Sequence, residues 1–416
     1  MKRTLAFAVA LLLVAGTAFG WPLARVWKGG LPWWYGGLTF WAPFDDSASP
    51  LKLNVGTGSL SFTRATTATR VATDNGYITS TPSGTLRIES NGALIEGQRT
   101  NKALYSEQLG LAANWVATNV TVDNNTAITD PAGGTAAETL TASDANGTLT
   151  QSIATDNSVT HTFSIYLKRK TGTGAVQLNA DNTTYAACTI NATTWTRCSV
   201  SNALTDNTAA HSPGVRLVTS GDAVYAYGAG YEASSFPSSY IPTTTAAVTR
   251  NADILKTQIS GNVPQSEFTI TFDTMRNYQL TTFSVDTNIF AFGDYAANAY
   301  MSFGRSYVND FGSMLVNFGA YWSYASAFSY DRVFNSLEKG AFRLGSDLKT
   351  MDLYINGTKD ATTAVAAQAK SAAWNSNTFY IGGNNTGVDV TQRLYIKNLR
   401  IWNRAFTDAE MQVITQ

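Results

Sequence analysis

Apolar and polar residues alternate along many short stretches of this chain, with turn residues between them. Thr160-His-Thr-Phe-Ser-Ile-Tyr-Leu-Lys168 and Ala223-Val-Tyr-Ala-Tyr-Gly-Ala-Gly-Tyr-Glu232 show this in one block, and Phe268-Thr-Ile-Thr-Phe272 opens another. A period of two puts successive side chains on opposite faces of a pleated strand, so the pattern predicts half-buried strands. Leu353-Tyr-Ile355 followed by Asn356-Gly357 is the strongest hairpin signal, because Asn-Gly accepts the positive φ angles of a type I′ turn. Thr407-Asp-Ala-Glu410 has capping-box spacing and predicts a short terminal helix, the one sizeable helix outside the leader. No repeat of solenoid or propeller period is present. The expectation is an all-β fold: two β-sandwich (jelly-roll) domains in tandem, preceded by a hydrophobic leader and a small β module, with a short C-terminal helix.

The boundaries follow from changes in texture. Residues 1–20 carry Lys2 and Arg3, an apolar run from Leu5 to Ala15 and then small residues, the order of a secretory signal peptide. The run is short for a membrane span, and an apolar tail docked into a particle fits the same residues, so both readings stand. Residues 21–37 are a Gly- and Trp-rich linker or docking segment, residues 38–100 a small β module, and residues 101–253 a sandwich. After the extended, Thr-rich stretch that holds Pro237 and Pro242, residues 264–416 form the second sandwich. A break is expected between Asn251 and Gln265, where Gly261-Asn262 and Pro264 interrupt the strand pattern.

Three phrases are more specific than texture. Phe62-Thr-Arg-Ala-Thr-Thr-Ala-Thr69, Leu94-Ile-Glu-Gly-Gln-Arg-Thr-Asn101 and the closing Ser235-Phe-Pro-Ser-Ser-Tyr-Ile-Pro through Arg250-Asn-Ala-Asp253 resemble recurrent wording in phage head-fibre, tail-fibre and minor structural proteins. That resemblance implies a small β module feeding a carbohydrate-binding-like sandwich, bracketed at both ends, and a virion protein. Met351-Asp-Leu-Tyr-Ile-Asn-Gly-Thr358, Thr378-Phe-Tyr-Ile-Gly-Gly383 and Tyr395 to Met411, in that order, resemble the closing strands of concanavalin A-like (laminin-G-like) lectin/glucanase jelly rolls.

Composition narrows the partners. Lysine plus arginine number 29, as do aspartate plus glutamate, so the formal net charge is zero and nothing favours capture of nucleic acid. Charged residues are 14% and hydrophobic residues 44%, which suits a globular chain rather than a disordered one. Cys188 and Cys198 flank a hairpin-like stretch; with the turn near Ala192 to Thr194 they face each other across neighbouring strands and suit a disulfide. Two small buried thiols are the alternative.

Candidate chemistry is sparse. Only His161 and His211 are present, no Gly-x-Ser-x-Gly elbow occurs, and His161 lies in a strand pattern, which argues against nucleophilic hydrolysis. A jelly-roll glucanase needs paired acids two apart on a strand; between Phe268 and Gln416 that spacing is met by Asp408-Ala-Glu410, in the predicted helix start. The chain is therefore expected not to be an enzyme. Calcium is the one cofactor the resemblance suggests, since laminin-G-like domains often hold it at a loop rim. The local acids are Asp294, Asp310, Asp347, Asp352 and Asp389; Asp389 with Asn384 is the candidate metal set. Sugar binding needs aromatic faces and hydrogen-bonding side chains. Phe318 to Tyr330 is the densest aromatic patch, and Tyr321, Trp322 and Tyr324 cannot all face one core if they form a strand, so they are the carbohydrate-binding candidates. Trp115, Trp195 and Trp402 are assigned to cores. These readings lead to a non-catalytic adhesin or decoration protein on a virion surface, with cell-surface glycans and other virion proteins as partners and a homo-oligomer allowed. A secreted bacterial lectin-like surface protein is the alternative, and a polysaccharide-degrading enzyme the second alternative.

Overall fold

A computed structural model describes residues 32–416 except 73–76, 125–126, 156–158, 206–207, 277–286, 295–298, 306–311, 319–321, 326–335, 361–362, 367–368, 371–372, 375–376 and 384–392. The chain divides into two units, Met1–Gly37 and Leu38–Gln416. In the first, Trp33–Tyr35 form one 3₁₀ turn. The second is nearly all β, and its single α-helix among the described residues is Asp408–Ile414.

The two expected sandwiches are both present. The one nearer the C-terminus stacks a nine-stranded sheet on a seven-stranded one. The larger sheet runs in the order Thr358–Lys359, Thr350–Ile355, Glu338–Leu344, Phe268–Met275, Arg393–Trp402, Gly92–Glu96, Arg87–Glu89; Leu38–Ala42 also pairs with Arg393–Trp402, and Ala364–Val365 with Thr350–Ile355. The smaller runs Ser61–Thr63, Ile254–Gln258, Thr378–Ile381, Thr287–Asp294, Ala299–Arg305, Gly312–Phe318, Trp322–Ala325. One apolar cluster fills the space between them, from Phe40, Phe62, Ile88 and Ile95 to Phe268, Phe290, Phe342 and Ile401.

That cluster corrects the domain boundaries. The segment 38–100 is not a module of its own: its strands are hydrogen-bonded into both sheets of the C-terminal sandwich, and its apolar side chains share that core. Among the described residues of this segment, Ala68–Val71 and Ile78–Thr81 pair solely with each other. The expected break at 251–265 is likewise replaced by a strand, since Ile254–Gln258 pairs with Ser61–Thr63 on one side and Thr378–Ile381 on the other. Apolar Leu255, 1% exposed, gives this strand a core-facing position that the turn-like residues after it masked.

The other sandwich is thus nested inside the first. Its sheets contain Val120–Asn124, Glu138–Ala142, Ala223–Ala233, Thr160–Thr171 and Thr196–Ala203 on one side, and Val116–Thr118, Gly147–Thr150, Gly214–Leu217, Val176–Asn179 and Tyr185–Cys188 on the other. Its separate core runs from Ala103 and Trp115 to Tyr231. The chain enters through Arg99–Asn101 and leaves through Val248–Arg250, and these two strands pair as an antiparallel stem.

Local signals hold where the forces are local. Asn356 and Gly357 take φ of 48° and 80°, and Ile355 opposes Thr358 across them. Thr407 and Glu410 form the capping box in both directions, the hydroxyl accepting from the Glu410 amide and the carboxylate from the Thr407 amide. Cys188 and Cys198 form a disulfide, but the strand geometry behind that expectation is different. Tyr185–Cys188 and Thr196–Ala203 belong to opposite sheets, so the bond joins the two layers of the sandwich. The intervening turn, with the Asn191 side-chain oxygen Oδ1 accepting from the amides of Thr193 and Thr194, carries the chain across, and Thr196–Ala203 pairs with Thr160–Thr171 instead.

Candidate functional site

The residues named from sequence fall in three kinds of place. Trp322 and Tyr324 lie on Trp322–Ala325, the terminal strand of the seven-stranded sheet, opposite Asn317 and Leu315. Tyr321, Asp389 and Asn384 lie outside the described residues. Asp347 and Asp352, two of the acids considered for calcium, have structural partners. Asp347 accepts from the amides of Lys349 and Thr350 in its own turn, and Asp352 accepts from Arg343 at 2.8 Å, from Thr363 at 2.9 Å and pairs with Lys359 at 3.2 Å. Among the described residues no group of three or more His, Cys, Asp or Glu could hold a metal ion. Trp115 and Trp402 are buried as assigned, at 2% and 0% exposure. Trp195 is only half-buried; it packs on a satellite cluster with Ile78, Tyr227 and Tyr240, and its indole donates to the Thr129 carbonyl. Asp408 and Glu410, the one acid pair of hydrolase spacing, serve the helix end. Glu410 pairs with Arg404 at 2.9 Å, and Arg404 and the Thr407 amide outweigh its partial burial and hold it below the usual carboxylate range.

Two features were not foreseen. A cleft of 460 Å³ opens in the C-terminal sandwich, lined by Thr39, Ser260, Gln265, Trp374, Asn377 and Asn403 among others. Its amides and hydroxyls suit a polyol. Its indole is 5% exposed, with the Lys370 ammonium 4.4 Å from the ring centroid and Phe292 packed edge-to-face at 4.9 Å, so it has little ring surface open for stacking.

The second feature lies at the root of the nested sandwich. Glu96 and Asp253, both 0% exposed, are surrounded by four guanidiniums. Arg87 contacts Glu96 at 2.7 Å and also binds Asp253. Arg64 binds Asp253 at 3.0 Å, Arg250 binds Glu96 at 3.2 Å and Arg393 binds Glu96 at 3.3 Å. Ser239 donates its amide and hydroxyl to Glu96 at 2.8 and 2.7 Å, and the Glu96 amide donates to Asp253. Burial alone would raise the Glu96 carboxyl, but Arg250, Arg87 and Arg393 prevail and hold it well below its ordinary range. Arg64, Glu96, Ser239, Arg250 and Asp253 all come from the three recurrent phrases, so those phrases meet in one buried joint. The flanks gave no signal: Leu86-Arg87-Ile88-Glu89 reads as ordinary alternation, which assigns Arg87 to the polar face of its strand, whereas that face is buried at the joint.

With this geometry in view, comparison with known proteins adds the following. Residues 340–412 match the concanavalin A-like lectin/glucanases superfamily. The chain carries a concanavalin A-like domain. No curated protein matches the chain. Among solved structures, domain 4 of AbnA, a GH43 extracellular arabinanase from Geobacillus stearothermophilus in complex with arabinotriose, is 18% identical with a TM-score of 0.32, the match covering 43% of this chain and 81% of that one. The CBM40 of the Ruminococcus gnavus IT-sialidase bound to α2,6 sialyllactose is 15% identical (TM-score 0.30, 39% and 92% covered). The binding domain of botulinum neurotoxin DC in complex with rat synaptotagmin II is 15% identical (TM-score 0.32), with 40% of each chain covered.

Proposed function

We propose that this protein is a non-catalytic, glycan-binding adhesin displayed outside the cell, on a virion surface or as a fibre-like decoration. The observation that carries the reading is the concanavalin A-like match over residues 340–412, set in a double sheet whose last strand bears Trp322 and Tyr324. An exposed aromatic ring gives a pyranose its stacking surface, and each such contact is worth on the order of 1 kcal/mol, so a single site binds weakly and display in many copies supplies avidity. The virion assignment rests on the three recurrent phrases. Their convergence on one joint supports a shared architecture for nesting one sandwich in another, of which the ligand is independent. A secreted bacterial surface protein remains the second reading, favoured by Lys2-Arg3 and the apolar run behind them. The non-catalytic part is supported by the employment of Asp408 and Glu410 at the helix end.

The test is a glycan array probed with the full chain, followed by incubation with any capsule or lipopolysaccharide it retains. Retention without depolymerisation is expected. Trp322→Ala and Tyr324→Ala should each weaken retention and shift the melting temperature by no more than a few degrees. Release of oligosaccharides from the retained polymer would overturn the non-catalytic reading, and an array with no retained glycan would overturn the adhesin.

A further inference from the structure

The nested sandwich has a polar face that no part of the foregoing uses. In the sheet containing Gly214–Leu217, the side chains of Val215, Leu217, Leu149 and Leu178 are buried in the core. Period-two alternation turns Arg216, Thr148 and Gln177 to the opposite, outer face. They lie in one cross-strand row, Thr118–Thr148–Arg216–Gln177. The adjacent row is Thr150–Gly214–Asn179–Tyr185, and Gly214 contributes no side chain in its middle.

Arg216 is held there in a fixed attitude. Its guanidinium lies over the Tyr185 ring, 3.6 Å from the centroid, and both Nε and Nη2 donate to the Gln177 side-chain oxygen Oε1 at 2.8 and 2.5 Å. Among the described residues no carboxylate pairs with it. Asp181, in the turn before the Tyr185 strand, is engaged by the amides of Thr183 and Thr184. A second observation on the same face is independent of the arginine: Asn179 is 1% exposed, and its side-chain oxygen has no hydrogen-bond partner among the described residues. Arginine stacked on an aromatic and braced by an amide keeps the planar, end-on fork that matches a carboxylate, and it loses little side-chain entropy when a ligand arrives.

We propose that this face is a second glycan site, specific for a sugar that carries a carboxylate, such as a uronic or sialic acid. Arg216 Nη1 and the outer N–H of Nη2 take the carboxylate, while the Gln177 amide nitrogen and the hydroxyls of Thr148 and Thr150 flank the ring hydroxyls. Tyr185 sits on an edge strand, and the Cys188–Cys198 bond ties that strand to the opposing sheet, which keeps the stacking platform in place. The site rests on the glycan-binding reading and adds to it a charged class and a separate location.

The probes are trigalacturonate against its methyl ester, and sialyllactose against lactose, titrated into the full chain by calorimetry. At least one acidic sugar should bind about tenfold more tightly than its neutral counterpart, the size expected of one charge-assisted pair. Arg216→Gln should abolish that preference while leaving binding of neutral glycans and the melting temperature unchanged. If that variant fails to fold, Arg216→Lys, which keeps the charge and loses the fork, should show the same loss of preference. Equal affinity for both acid and neutral pairs overturns the inference while the proposed function stands, provided neutral glycans bind. Competition by inorganic sulfate as effective as by trigalacturonate overturns the carboxylate assignment. Absence of binding to every sugar overturns this inference and the proposed function together.

Discussion

Two buried carboxylates in this chain respond to pH in opposite senses. Glu96, in its cage of guanidiniums, has a folded-state pKa well below the ordinary value; its contribution to stability is complete above the ordinary value and is lost as pH falls through the lowered one. Glu138 pairs with no cation among the described residues. It is 8% exposed, and burial outweighs the hydrogen bond from the Gly110 amide and pushes its pKa from 4.5 up to about 7. The folded state therefore binds the extra proton between those values, so stability falls as pH rises across that window and levels off above about 7. Glu138→Gln keeps an acceptor for the Gly110 amide and removes the charge. Urea unfolding at pH 5 and pH 8 should show the variant with a smaller decline than the parent, and about 1–2 kcal/mol more stable at pH 8; identical declines would mean that Glu138 titrates as an ordinary carboxyl. Neither behaviour was legible in the sequence. Glu96 stands in a phrase singled out for its wording, yet two of its cations, Arg250 and Arg393, are supplied by strands more than a hundred residues away, and Glu138 reads as one more polar residue in an alternating strand.

At the scale of elements, what was readable was what neighbours in sequence decide. The Asn356-Gly357 turn and the Thr407–Glu410 cap depend on a few adjacent residues, and each forms as read; the alternating stretches form strands as well, but Thr160–Thr171, Ala223–Ala233 and Phe268–Met275 are buried on both faces over much of their length instead of half-buried. Which strands pair was not readable, because Leu38–Ala42 finds its partner in Arg393–Trp402. The disulfide lies between these cases: the two cysteines were close enough in sequence to meet, but whether they share a sheet depends on how the chain from Thr189 to Trp195 crosses the sandwich. A bond between layers restrains the opening of the sandwich at its edge. With the cysteines ten positions apart in sequence, loop closure predicts that Cys188→Ser with Cys198→Ala lowers stability by about 2–3 kcal/mol. The same loss should follow reduction of the parent protein under mild denaturant. A double variant with an unchanged urea midpoint would show that the layers hold without the bond.

The whole molecule is organised by nesting, and this sets which pieces can stand alone. The C-terminal sandwich collects strands from residues 38–96 and from 254–402, so the fragment 264–416, which follows the boundary visible in the sequence, lacks Leu38–Ala42, Arg87–Glu89 and Gly92–Glu96 from one sheet and Ser61–Thr63 and Ile254–Gln258 from the other. Removing them uncovers Phe268, Ile401, Phe379 and Ile381, all now 0% exposed, and leaves the Arg393–Trp402 and Thr378–Ile381 strands each with a bare edge. That fragment should be aggregation-prone or molten, without dispersed amide signals in an NMR spectrum. The nested sandwich has its own core and is entered and left through one paired stem, so residues 99–250 should fold alone with a cooperative thermal transition. Replacing 102–247 by a short Gly-Ser link should in turn leave the outer sandwich folded, because Asn101 and Val248 are register partners and a few flexible residues close that gap at small entropic cost. The outer sandwich so shortened loses Ser239 from the joint and keeps all four arginines with both carboxylates, so its loss of stability should be modest. If instead 264–416 gives a dispersed spectrum and a sharp melt, the strands from 38–96 are an accessory layer, and the nested description of the fold is wrong.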